Sequence, residues 1–295
     1  MGVGYPTLTG SSREMPADHL RRSAWCVLVS SLAFASMAAL IKHLAVEMPT
    51  EMTVFFRNCF GLIALAPLLL RGGVSLKTEN YRWHISRSLF GVIAMYCFFY
   101  SLGKLPLADA VLLNYTAPIF TPLIALLWLH ERVPNNVRWA IAVGFVGVML
   151  ILKPGHDLFT PATLVGLASG LFAAFAMTSI RRMAQTEPPL RIVFYFAVVA
   201  TGVSTVPLLW AWHTVAWIDL IPLLGIGVLA SIGQLFLTKA YTLAPAARVG
   251  ALTYATVVFA ALLGWTFWGE TLDMFSVGGA LLVGAGGALA MRRFV

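Results

Sequence analysis

Polar side chains set inside long apolar runs are the places where this chain can do chemistry. In the run around 85–103, Tyr96 and Tyr100 stand four residues apart and share one helix face. In 107–129, Asn114, Tyr115 and Pro118 put an amide, a phenol and a backbone break within about one helical turn. Pro118 lacks the N–H that would bond the carbonyl of Asn114, and Pro122 repeats the effect one turn on. A carbonyl freed in this way can face a solute. The second half supplies Gln234, Tyr241, Thr253, Tyr254 and Thr256. Arg57 is the one charge well inside a run, about five residues from its start, or roughly 7–8 Å at the helical rise. Phenols, amides and a guanidinium together suit a small polar solute, with the guanidinium drawing a carboxylate. Each group also has a plainer use. Tyrosines anchor membrane interfaces, amides join helices, and Arg57 can snorkel or pair with Glu47 or Glu51.

Catalysis is poorly served by the same residues. The nearest serine motif, Gly166-Leu167-Ala168-Ser169-Gly170, misses the spacing of a nucleophile elbow. No paired carboxylates share a helix turn at depth, and all twelve Asp and Glu fall in tails, loops or last turns. Carriers of lipophilic cations commonly need an embedded carboxylate, so that cargo is disfavoured and neutral or zwitterionic cargo fits better. Cys26, Cys59 and Cys97 lie in apolar blocks without C-x-x-C spacing, so they act as small hydrophobes. Neither a metal nor a cofactor is expected, and the phosphate-binding G-x-x-x-x-G-K-[ST] loop is missing, so ATP does not drive the protein directly.

These residues must be positioned by elements that live in a membrane. Of 295 residues, 59% are hydrophobic and 11% charged, with a mean hydropathy of +0.84. Soluble domains carry about 25% charged residues. Apolar runs bounded by charges, Pro or Gly predict ten helical spans near 24–44, 52–70, 85–103, 107–129, 137–153, 161–180, 191–211, 218–238, 246–268 and 274–291. Residues 1–20 read as a flexible cytoplasmic tail, with no cleaved signal peptide. With the N-terminus inside, sixteen of the twenty Lys and Arg fall on the cytoplasmic side, Arg87 among them. Lys42, Lys104 and Lys153 fall outside, and Arg57 is embedded. That bias orients the chain with both termini cytoplasmic. It also assigns the net charge of +8 to loops beside lipid and removes nucleic acid as a partner.

The chain repeats at half length. A shift of 139 residues aligns Lys42 with Arg181, Pro49 with Pro188, Pro106 with Pro245, Tyr115 with Tyr254 and Glu131 with Glu270. Each half, 21–155 and 156–295, then holds five spans. An odd number forces the halves into opposite orientations, a 5+5 inverted-topology repeat with its site near the midplane. Tyr254 gains weight as a site residue because it mirrors Tyr115. The glycines crowding 278–287 read as helix packing.

The run Leu105-Pro106-Leu107-Ala108-Asp109-Ala110, then Tyr115 through Pro118, ending Leu129-His130-Glu131, resembles the fourth span of EamA-type proteins. Ala244-Pro245-Ala246-Ala247-Arg248-Val249 through Trp268-Gly269-Glu270 resembles their ninth. The resemblance covers residues 24–291 and places the chain in the drug/metabolite transporter superfamily. It implies a ten-helix inverted repeat around a central cavity, in the inner membrane, exporting or exchanging small metabolites. The Trp- and Tyr-rich spans look most like YddG-like aromatic amino-acid exporters. The expectation is an all-α integral membrane carrier for an amino acid or similar metabolite. Its substrate-binding set is Tyr96, Tyr100, Asn114, Tyr115, Pro118, Gln234, Tyr254 and Arg57. Proton coupling, simple exchange, a channel-like facilitator and oligomeric state stay open at this point.

Overall fold

A computed structural model describes residues 17–71, 73–117, 160–184, 186–243, 255–270 and 273–291, with isolated positions between 119 and 150 and at 249, 252 and 253. Among the described residues every regular element is helical. The first half holds α1 (Ala17–Leu44), α2 (Thr50–Arg71), α3 (Tyr81–Leu102) and α4 (Leu107–Asn114). The second holds α5 (Pro161–Met183), α6 (Pro189–Thr205), α7 (Leu220–Leu243), α8 (Ala255–Trp268) and α9 (Met274–Met291). Among the described residues, five helical stretches are long and apolar enough to cross a membrane: Arg21–Leu44 of α1, α2, α3, α5 and the stretch Trp217–Leu243. Shorter apolar helices accompany them.

The helix ends follow local chemistry. Thr160 caps α5 by accepting from the Thr163 N–H, and Pro161 opens the helix where its missing donor does no harm. Pro189 opens α6 in the same way. Helix α4 stops at Asn114, and Tyr115 and Thr116 form a turn whose Thr116 hydroxyl bonds the Leu113 carbonyl at 2.7 Å. Pro118 and Pro122, where the sequence places the backbone break, lie outside the described residues.

Close backbone approaches knit the halves together. Ser231 donates to the Gly61 carbonyl at 2.9 Å, and a Cβ on Gly227 would stand 2.8 Å from the Gly61 nitrogen, so α7 and α2 touch through small residues. Ser30 donates to the Gly233 carbonyl at 2.9 Å, with the Phe34 ring lying on Gly233. Helix α1 packs on α7 and α8, while α5 packs on α3 and α4. The main core draws on α1, α2, α3, α4, α6, α7 and α8. Exposed tryptophans (Trp25, Trp210, Trp212, Trp217 and Trp265) leave large amphipathic rings on the outside, as a lipid interface requires.

Candidate functional site

The most unusual chemistry lies where α2, α3, α6 and α7 meet. Arg57 on α2 is 5% exposed and Arg87 on α3 is 3% exposed. Arg57 Nη1 donates to Asn58 Oδ1 at 2.6 Å, and the Asn58 amide in turn faces Met95 Sδ at 3.8 Å. Arg87 Nη2 donates to Gln234 Oε1 at 3.0 Å. Both guanidiniums lie over the same ring: their Cζ atoms stand 5.4 Å and 4.0 Å from the Phe196 centroid. They are therefore no farther apart than the sum of those distances. Gly91 makes this possible, because a Cβ there would collide with Arg87 Nη1 and stand 2.9 Å from Phe196.

Two like charges this close repel by about 2 kcal/mol or more at an effective dielectric near 20. Each cation–π contact returns roughly 0.5–2 kcal/mol, and the buried Nε of each arginine has no partner among the described residues. Neither guanidinium has a carboxylate within 4 Å among the described residues. Arg57 thus neither snorkels to the surface nor pairs with Glu47 or Glu51. Arg87 leaves the cytoplasmic loop set altogether. Helix α3 begins at Tyr81, four residues earlier than the sequence boundary, which carries Arg87 nearly two turns into the helix. A basic residue close to a span end looks like a loop charge, and nothing in its immediate neighbours separates the two. The fold therefore builds a centre with two guanidiniums where the sequence places one, Arg57, among neutral groups.

The other expected site residues divide. Gln234 joins the arginine pair, and Tyr96 on α3 holds a buried hydroxyl without a hydrogen-bond partner among the described residues. Asn114 Nδ2 donates to Ser169 Oγ at 3.0 Å, so this amide joins α4 to α5. Ser169 also donates to the Gly166 carbonyl and is fully buried, leaving no nucleophile in that glycine-rich turn. Tyr115 is half-buried against the main core, and Tyr241 packs in two smaller clusters. Thr253 and Thr256 are buried on either side of Tyr254, which lies outside the described residues. Tyr100 is 39% exposed on α3 and is not brought to the others. No metal-binding group of His, Cys, Asp or Glu occurs among the described residues.

Two polar clasps tie the halves at opposite ends of the bundle. At one end, Lys42 Nζ at the close of α1 meets Glu270 Oε1 at 2.9 Å and donates to the Leu105 carbonyl at 2.7 Å. Glu270 Oε2 accepts from the Leu107 N–H at 2.8 Å. Gly269, at φ 64°, turns the chain after α8, and the carboxylate lies 2.7 Å from where a Gly264 Cβ would sit. At the other end, Glu187 Oε1 accepts from Thr78 Oγ1 at 2.6 Å and Asn80 Nδ2 at 2.9 Å, and Oε2 accepts from Arg191 Nη1 at 2.7 Å. His84 Nε2 stands 3.7 Å from the same carboxylate. Arg191 Nε reaches the Ser75 carbonyl and Tyr195 the Leu76 carbonyl. Burial alone would raise the Glu187 carboxyl, but the hydrogen bonds from Thr78, Asn80 and Arg191, with the Arg191 charge, outweigh it and bring it down to about 2.

Comparison with known proteins gives a consistent picture. The EamA-like transporter family matches twice, over residues 21–153 and 160–292. The pseudopaline exporter CntI of Pseudomonas aeruginosa (strain UCBPP-PA14) is 34% identical over 272 residues, covering 91% of this chain and 95% of the exporter. The riboflavin transporter of Vibrio cholerae serotype O1 is 27% identical, covering 85% of this chain and 86% of its own. An S-adenosylmethionine uptake transporter of Rickettsia felis is 27% identical over 87% of each chain. One solved crystal structure superposes with a TM-score of 0.65 at 20% identity, over 91% of this chain and 96% of its own, which speaks for the fold alone.

Proposed function

The chain belongs to the EamA-like transporter family of the drug/metabolite transporter superfamily, and from that premise we propose that it is a secondary carrier of the inner membrane. It exports or exchanges small metabolites with amino and carboxylate groups, amino acids among them, by alternating access. The observation that carries this reading is the pair of polar clasps between the halves, one at each end of the bundle. A carrier needs a seal on each side of its central site, and each seal must break without unfolding the protein. A few charge-assisted hydrogen bonds of roughly 1.5–3 kcal/mol each meet that need.

The full architecture is ten spans in two halves, 21–155 and 156–295, inverted with respect to each other, with both termini cytoplasmic. Helix partners trade between the halves in support: α1 against α7 and α8, α5 against α3 and α4. The Lys42–Glu270 clasp then closes the outer end and the Glu187 clasp the cytoplasmic end. Relatives described as carrying pseudopaline, riboflavin and S-adenosylmethionine do not narrow the cargo to aromatic amino acids.

The test is counterflow into liposomes holding the purified protein, across a panel of amino acids and organic acids. Saturable uptake accelerated by the same solute inside supports the carrier. Flux that rises linearly with concentration, without counterflow, indicates a channel, and no flux of any solute in the panel overturns transport.

A further inference from the structure

We infer that Arg57 and Arg87 form one recognition site that takes the two acidic groups of a small dicarboxylic metabolite. This rests on the carrier reading above and names its cargo class.

Buried arginines with a structural role are paired, because an uncompensated charge away from water is strongly unfavourable. These two are not: among the described residues, no acid reaches either one. Each guanidinium offers five N–H donors in a planar fork. One from Arg57 goes to the Asn58 amide and one from Arg87 to the Gln234 amide, both neutral acceptors. Those amides fix the orientation of the forks without cancelling their charge. Both Nε groups are buried with no acceptor among the described residues, so donors are held ready and unused.

Phe196 adds the second constraint. Its ring holds both cations, at 4.0 Å and 5.4 Å from the centroid, without neutralising either. Gly91 keeps α3 bare where the Arg87 fork lies down. A lone carboxylate would answer one fork and leave the other unpaired. Two carboxylates on one short skeleton answer both, by the bidentate geometry that guanidinium prefers.

The experiment measures equilibrium binding to the purified full chain with glutarate and L-glutamate as dicarboxylates, L-glutamine as the monoamide, and inorganic phosphate as a separate anion. Wild type should bind the dicarboxylates on the order of 30-fold more tightly than glutamine, and R57Q or R87Q should each erase most of that difference. R87K, which keeps charge but loses the fork, should fall between. Because each Gln variant removes an unpaired buried charge, it should melt no lower than wild type, which separates lost recognition from lost folding. Equal binding of glutamate and glutamine, binding of phosphate alone, or variants that bind dicarboxylates like wild type would each overturn the site. Counterflow of neutral amino acids that is untouched by both variants sinks this inference and leaves the carrier standing. Dicarboxylate binding with no counterflow of any solute sinks the carrier and leaves the site standing.

Discussion

Replacing Glu270 tests the outer clasp quantitatively. Its carboxylate makes two charge-assisted contacts, to Lys42 Nζ at 2.9 Å and to the Leu107 N–H at 2.8 Å. The Lys42 and Glu270 side chains are 15% and 21% exposed, so the low end of the range for such bonds applies, roughly 1.5 kcal/mol each. E270Q loses the ion pair and keeps an acceptor for Leu107; E270A loses both. If this clasp holds the outer end shut, the open population rises about tenfold in the first and about a hundredfold in the second. Leu107 is fully buried beneath the clasp, which makes it the reporter. In a C26A/C59A/C97A background, L107C should react with a membrane-impermeant maleimide at rates rising by those factors. Equal labelling rates in all three proteins would refute the idea that Glu270 closes this end.

Three further outcomes follow from the same contacts. The Glu187 carboxyl lies below the ordinary carboxylate range, so it stabilises the folded state fully above that range and loses this as pH falls toward 2. The effect is up to roughly 3 kcal/mol; wild type should lose melting temperature steeply from about pH 4.5 down to about 2, whereas E187Q starts lower and stays flatter, and parallel profiles would count against the clasp. G91A should push the Arg87 fork off Phe196 and weaken dicarboxylate affinity about tenfold or more with both charges retained; a wild-type affinity would show the niche is not needed. Y96F removes a hydroxyl that bonds nothing among the described residues, so its melting temperature should hold or rise while substrate affinity falls, and an unchanged affinity would remove Tyr96 from the candidate site.

The helices were legible because lipid imposes a crude rule: long apolar runs with breaks at Pro, Gly and charge. Helices α2 and α3 start two and four residues before their sequence boundaries, and α5 ends three residues after its own. Helix α4 ends at Asn114, four residues before the first proline of its run. The site was harder. Whether Asn114 faces a solute or Ser169 depends on which helix packs against α4, and spacing along α4 holds no such information. Tyr96 and Tyr100 share a face by spacing, yet the first is half-buried and the second exposed, because a neighbour covers only part of that face. Arg87 is the site residue least visible in the sequence. A four-residue shift in the start of α3 turns a loop charge into a buried one, and a site with one guanidinium among neutral groups into one with two.

The clasps show the same division. The glutamate at 270 was visible as the end of a family-like run, and Lys42 as an external charge. Their meeting requires α1 and the turn after α8 to reach the same end of the bundle, which is a property of the packed halves.

The most direct test of alternating access is a reversible lock across the outer clasp. K42C and E270C, introduced together in the cysteine-free background, are bridged by a short cleavable bis-thiosulfonate in liposomes carrying out counterflow. Flux that stops on bridging and returns on reduction is the predicted result. Flux that continues with the two halves tied together at that end would contradict the account.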